Sequence, residues 1–201
     1  MDQSAGSPVV RDAEPADASG IAAIGREALP RTFGGMVDPA VLHSIVDQSY
    51  SVEALEACIA RCRSTPDAHF LVAELDRRVV GFLHYDCAGE GPELHRIYID
   101  SSLLRRGIGS ALLAELHARL AHGTSYILMV IAANVPAVNF YRRHGFVVDA
   151  HVDGPTYMSE HMGVTYPQGT QPAPALVMRF TKPSGSEATG VPNLATTRRL
   201  S

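Results

Sequence analysis

The stretch Glu93–Leu120, ELHRIYIDSSLLRRGIGSALLAELHARL, decides the fold. It reads as an apolar-rich strand from Glu93 to Ile99, a short loop with two arginines and two glycines, and a helix. Gly107 and Gly109 lack a Cβ, so the chain can turn sharply there and let a bulky group approach its backbone. Beyond them Ile108, Leu112, Leu116 and Leu120 recur every fourth residue with Leu113 beside them, the apolar stripe of a helix. A helix that starts at the glycines points its free N–H groups and its positive dipole end into the loop, where a phosphate or pyrophosphate would be held. Arg105 and Arg106 add mobile positive charge at the same place.

Two nucleotide motifs are excluded. A P-loop ends in Gly-Lys-Ser/Thr, but Gly109 is followed by Ser110 and Ala111. A dinucleotide fingerprint needs a third small residue three after the second glycine, where Leu112 stands.

Composition bounds the rest. The 201 residues suit one domain with a sizeable core, and 46% hydrophobic with 19% charged residues describe an ordinary soluble globule. A net charge of −4 argues against nucleic acid as a partner and mildly favours a cationic one. No apolar run is long enough to span a bilayer, and the first residues lack the basic and apolar regions of a signal peptide, so a cytoplasmic location is expected. Cys58, Cys62 and Cys87 are too few for a disulfide framework. Cys58 and Cys62 lie four apart on a predicted helix, but no partner pair follows at zinc spacing, so buried free thiols and no metal are expected.

Along the chain, Val9 to Arg11 predicts a first strand and Asp17 to Leu29 a helix stopped by Pro30. The Gly34-Gly35 segment with Phe33 and Met36 is either a substrate loop or a packed connection. Val41 to Arg63 reads as helical, in one piece or in two with Ser51 capping the second. HFLVAEL and VVGFLHYDC flank a polar turn and predict a hairpin that leads into the Glu93 strand. YILMVI from Tyr126 predicts a strand buried on both faces, as a parallel neighbour of Glu93 to Ile99 would be. Asn134 caps a helix with Pro136 in its first turn, Gly145 ends it, and a strand follows from Phe146. Asp149 to Pro174 reads as a long loop or a loose strand with an insertion. LVMRF predicts a closing strand.

Arg105-Arg106-Gly107-Ile108-Gly109-Ser110 resembles the acyl-CoA pyrophosphate loop of the GNAT superfamily of N-acyltransferases, whose pattern is Gln/Arg-x-x-Gly-x-Gly/Ala. Leu104 stands where Gln or Arg is usual. Asn134-Val-Pro-Ala-Val-Asn-Phe-Tyr-Arg-Arg-His-Gly-Phe is similar to a second signature of that family, Asn-x-x-Ala-x-x-x-Tyr-x-x-x-Gly-Phe. The resemblance covers Val9 to Lys182. It implies an α/β (α+β) GNAT fold, with a mixed central sheet of six to seven strands, helices on both faces and a splayed parallel strand pair. Residues 1–8 are then a disordered N-terminus, 9–182 the acyltransferase domain and 183–201 a flexible tail.

The resemblance also implies acetyl-CoA as cosubstrate and transfer of its acetyl group to a primary amine by direct attack. The acceptor is a small molecule or a peptide; no nucleic acid, membrane or metal is expected, and a homodimer is allowed. In such enzymes Ile97, Tyr98 and Ile99 would bind the pantetheine arm through their backbone. Arg105, Arg106, Gly107, Ile108, Gly109 and Ser110 would cradle the pyrophosphate, and Asn134 would both cap its helix and touch the arm. Tyr141, near the thioester sulfur, would protonate the departing thiolate. An alkyl amine is only about one part in a thousand neutral at pH 7, so a base is needed. Glu93 occupies the family's glutamate position, and His95 on the same strand is the alternative. Phe33, Met36, His84, Tyr85 and the segment from His151 to Tyr166, with Asp153, Glu160 and His161, are candidates for the amine site. A chain that keeps the cofactor cleft but has lost efficient chemistry, an acyl-CoA-binding regulatory module, fits the same motifs.

Overall fold

The computed structural model describes residues 7–35, 39–87, 91–162, 165–166 and 171–184. Strand β1 (Val9–Asp12) and a 3₁₀ turn precede three helices, α1 (Ala18–Phe33), α2 (Pro39–Ser49) and α3 (Val52–Ser64). A meander of β2 (His69–Leu75), β3 (Arg78–Asp86) and β4 (Glu93–Ile99) leads through a second 3₁₀ turn into α4 (Ile108–Arg119). Then come β5 (Ser125–Ile131), α5 (Val135–Arg143), β6 (Val147–Asp153), α6 (Gly154–Met162) and β7 (Pro174–Thr181). The seven strands form one sheet in the order β1-β2-β3-β4-β5-β7-β6, antiparallel throughout except for β4 beside β5. This is the mixed sheet with a parallel pair that the resemblance implies.

Each face of the sheet has its own core. The stripe Ile108, Leu112, Leu113 and Leu116 of α4 is buried against Leu83, Tyr85 and Leu94 on one face, together with Tyr126 and Leu128 of β5. On the other face Ile21, Ile24, Leu55 and Ile59, from α1 and α3, pack on Phe70, Val72 and Phe82. Full burial of such a side chain stabilises the fold by about 1.5–3 kcal/mol. The end of α4 is closed by Lys182, whose Nζ donates to the carbonyls of His117 at 2.5 Å and Leu120 at 2.6 Å. A cation there satisfies carbonyls that the helix leaves open and complements its dipole.

Four expectations change. Helix α1 does not stop at Pro30 but runs to Phe33, because Leu29 and Phe33 pack on the core and the Gly34 N–H closes the turn on Pro30 O at 2.7 Å. The stretch Asp149 to Pro174 holds the end of β6 and helix α6 rather than a long loop or an interrupted strand. Asp153 caps that helix, its Oδ2 accepting from the Thr156 N–H at 3.1 Å and hydroxyl at 2.6 Å. Strand β5 alternates between buried and half-buried positions instead of being buried on both faces, since α1 and α3 cover mainly the β2–β4 half of the sheet. Of the three thiols Cys62 is buried, Cys58 half-buried and Cys87 exposed at the end of β3. The proposed disordered N-terminus and C-terminal tail lie, apart from residues 7–8 and 183–184, outside the described residues.

Candidate active site

Strands β4 and β5 touch at one point. Glu93 pairs with Ile127, whose N–H also reaches Pro92 O at 3.1 Å, and beyond that pair the described residues show no ladder between the two strands. From there β4 bonds only to β3, and β5 to β7. The Asp100 N–H points to β3, bonding Val80 O at 2.9 Å. Alternation therefore turns the backbone of Tyr98 to β3 as well, and that of Ile97 and Ile99 toward the gap. Of the three residues expected to bind an extended arm through their backbone, Ile97 and Ile99 offer unpaired N–H and C=O groups to the opening.

Below the gap lies the glycine loop. Asp100 accepts from the Ser102 N–H at 2.9 Å and holds the 3₁₀ turn Ser101–Leu103. Arg105 (φ 65°) and Gly107 (φ 80°) then take left-handed backbone, and Gly107 stands at the start of α4 with no side chain capping it. The first N–H groups of α4, on Ile108, Gly109 and Ser110, are left to an external acceptor. The two glycines differ in role. A Cβ on Gly107 would meet nothing within 4 Å, whereas one on Gly109 would come within 3.2 Å of the Phe140 ring. Gly107 faces open space; Gly109 lets α4 pack closely on α5. Arg105, Arg106 and Leu104 are exposed.

Asn134 caps α5 by accepting from the Ala137 N–H at 3.3 Å. His144, just past the helix, donates from Nδ1 to Phe140 O at 2.8 Å, so its Nε2 accepts from the Ser110 hydroxyl at 2.9 Å. This bond fixes the end of α5 to the first turn of α4 and commits the Ser110 side chain, leaving its N–H for a ligand. Tyr141 packs its ring against Phe140 and Phe146. Burial pushes its phenol well above the ordinary value, and among the described residues its hydroxyl has no hydrogen-bond partner. It stays protonated and able to donate.

A bulge decides where Glu93 and His95 sit. His84 pairs with Arg96 but Tyr85 pairs with Leu94, so His95 is an extra residue in β4. Simple alternation would turn Glu93 and His95 to the α4 face with Ile97. The slip instead puts Leu94 there and brings Glu93, His95 and Arg96 to the opposite face. Glu93 is half-buried and accepts from the Tyr157 hydroxyl of α6 at 3.3 Å. Burial raises its pKa, against the pull of His95, Tyr157 and His161. His95 donates to Asp86 at 2.9 Å, and Asp86 also lies 3.3 Å from His84 Nε2 and 3.5 Å from Arg61.

The amine candidates separate. His84 and Tyr85 are buried, 3% and 1% exposed, because β3 is an interior strand covered on both faces, so neither can meet an amine. Asp153 is occupied as a helix cap and also accepts from the Ala173 N–H at 2.9 Å. Phe33 is half-buried against both the second-face core and the small cluster of Ile131, Ala173 and Ala175, and Met36 lies outside the described residues. Glu160 and His161 line a cleft of about 410 Å³ with Tyr157, the same residue that reaches Glu93. Tyr157 was missed by the sequence reading; Asp153 with Pro155 just behind it is a helix-start signal that would have found its helix.

A parallel pair parted above a glycine loop and a helix N-terminus is the arrangement that the resemblance to the GNAT superfamily implies. Residues 66–148 match the acetyltransferase (GNAT) domain. An uncharacterized N-acetyltransferase of Lactobacillus delbrueckii subsp. lactis is 30% identical over 152 residues, covering 71% of this chain and 80% of the relative. The chain covers 38% of an uncharacterized N-acetyltransferase of Methanocaldococcus jannaschii, at 34% identity over 86 residues. The fold matches the PaiA N-acetyltransferase of Thermoplasma acidophilum, solved in complex with coenzyme A, with a TM-score of 0.67 at 22% identity over 88% of this chain and 99% of that one. The chain belongs to the GNAT acetyltransferase family. It is an acyltransferase.

Proposed function

We propose that the chain transfers an acetyl group from acetyl-CoA to a primary amine by direct attack, without a covalent enzyme intermediate. The observation that carries this reading is the parting of β4 and β5 directly above the uncapped N-terminus of α4. An extended amide-bearing arm pairs with the exposed backbone of Ile97 and Ile99 as an added strand. Its diphosphate then meets the N–H groups of Ile108, Gly109 and Ser110, with Arg105 and Arg106 supplying counter-charge. The coenzyme A complex of the Thermoplasma relative supports the choice of cosubstrate.

The N–H of Ile97 or Ile99 stabilises the oxyanion of the tetrahedral intermediate. Glu93 stands at the mouth of the opening, four residues from Ile97 or about 13 Å along the strand. It therefore takes the amine proton through intervening water. Its raised pKa makes it a better base than an ordinary carboxylate. Tyr141, protonated and without a hydrogen-bond partner among the described residues, gives its proton to the departing thiolate. The amine enters from the α6 side, past Glu160 and His161.

Thiol release from acetyl-CoA, followed across a panel of small amines and peptide N-termini, tests the proposal. At least one amine is expected to give turnover dependent on enzyme and amine together. Stoichiometric acetyl-CoA binding with no thiol released by any amine would overturn transfer in favour of a binding module.

A further inference from the structure

One cluster on the acceptor face has no part in acyl transfer. Cys58 and Cys62 lie four apart on α3, so both thiols leave the same side of the helix, onto the sheet. Beneath them His84 and Asp86 are alternate residues of β3 whose side chains share one face. A sulfur from each cysteine and a ring nitrogen of His84 lie within 4.8 Å of one another. His84 Nε2 is 3.7 Å from Cys58 Sγ and 3.3 Å from Asp86 Oδ2. Ligands bound about 2.0–2.3 Å from a tetrahedral zinc ion stand about 3.3–3.8 Å apart. Both separations are therefore already edges of such a tetrahedron.

We propose that Cys58, Cys62 and His84, with Asp86 drawn in as the fourth ligand from its place beside His84, form a structural site for a thiophilic divalent cation of the zinc class. Two sulfurs select against magnesium and calcium, and four protein ligands leave no open position for catalysis. Charge supports the assignment. Two thiolates and a carboxylate are balanced by the divalent ion together with the Arg61 guanidinium, which lies 3.6 Å from Cys58 and 3.5 Å from Asp86. The other oxygen of Asp86 is held by His95 at 2.9 Å, an outer contact that orients the ligand. His84 Nδ1 is buried with no partner among the described residues, so the polar contacts of the ring, which stacks on Phe70, run through the nitrogen that faces the thiols and Asp86. The ion would tie α3 to β3 and fix Asp86 beside the residue next but one to Glu93.

The full chain, stripped with a chelator under reducing conditions and dialysed against zinc, is expected to hold one zinc per chain by mass spectrometry. Cobalt(II) in its place should give the visible bands of a tetrahedral ion and a thiolate charge-transfer band. Zinc should slow alkylation of Cys58 and Cys62 while exposed Cys87 reacts as before. Cys58→Ser with Cys62→Ser should abolish binding, and His84→Gln should weaken it by about 10-fold or more. If these variants do not fold by circular dichroism, the wild-type stoichiometry and alkylation pattern decide. Substoichiometric zinc in protein whose thiols titrate as reduced, or equal alkylation of all three cysteines with and without zinc, would overturn the site. So would a folded double-serine variant that keeps its zinc.

Discussion

The two faces of β4 are built from different materials. Its α4 face is apolar, with Leu94 and Ile97 against the leucines of α4, and it ends in a glycine loop of mostly backbone groups. Its other face carries Glu93, His95 and Arg96 and looks onto Asp86, His84 and two cysteines. The first is made by contiguous sequence; the second is assembled from α3, β3, β4 and α6. In the proposed mechanism the difference separates holding the donor, which needs backbone, from activating the acceptor, which needs side chains tuned by burial.

The largest expected effect breaks the donor side alone. Gly107→Asp puts a negative charge and a Cβ at a left-handed position facing the phosphate site, and should raise the acetyl-CoA Kd by about 100-fold or more, near 2.7 kcal/mol. Calorimetric titration checks it, and an unchanged Kd would sink the loop assignment. Tyr141→Phe comes next. The kcat should fall by about 100-fold with the acetyl-CoA Kd unchanged within about twofold, because the ring packing survives and only the proton donor is lost. A matching loss in Kd would make Tyr141 a binding residue instead.

On the acceptor face, Glu93→Gln should lower kcat/KM by about 10-fold at neutral pH and remove its acidic limb. Tyr157→Phe sharpens the point. The phenol hydrogen bond favours the ionised carboxylate, so its loss should raise the Glu93 pKa further and move the acidic limb to higher pH. A limb that stays in place in both variants would point to His95 or water as the base.

The smallest effect is a stability control on the α4 face. His117 stacks on Phe180 at 3.9 Å and bonds Tyr126 at 2.8 Å. Burial lowers its pKa from 6.5 to about 4, with His144 and Lys182 adding. The unfolded chain therefore takes up this proton first as pH falls. The stabilisation is complete above about pH 6.5 and is lost toward pH 4, so Tm should drop across that window and drop less in His117→Gln. Calorimetric scans at stepped pH would show it.

The same contrast explains what could be read beforehand. The loop, α4 and the Asn134 helix were legible because glycines, caps and a four-residue repeat act within a dozen residues of one another. The faces of Glu93 and His95 were not, since a one-residue bulge reverses them and nothing local to ELHRIYI marks it. Tyr157 was hidden for a related reason: a nine-residue helix with a weak stripe, in a segment rich in glycine and proline, reads as loop. Cys58 and Cys62 looked like a pair without partners because His84 and Asp86 come from a strand beyond the next hairpin turn.

The single pairing of Glu93 with Ile127 also has a mechanical meaning. The sheet is two half-sheets, β1–β4 and β5–β7–β6, joined by one rung of backbone and a common helix layer. In the proposed mechanism a cosubstrate lying in the gap would supply the rungs that the chain lacks, so that occupancy would stiffen the seam and release loosen it. The carboxylate at that rung then stands at a hinge, where the two half-sheets share one backbone pairing and where the proposed chemistry begins.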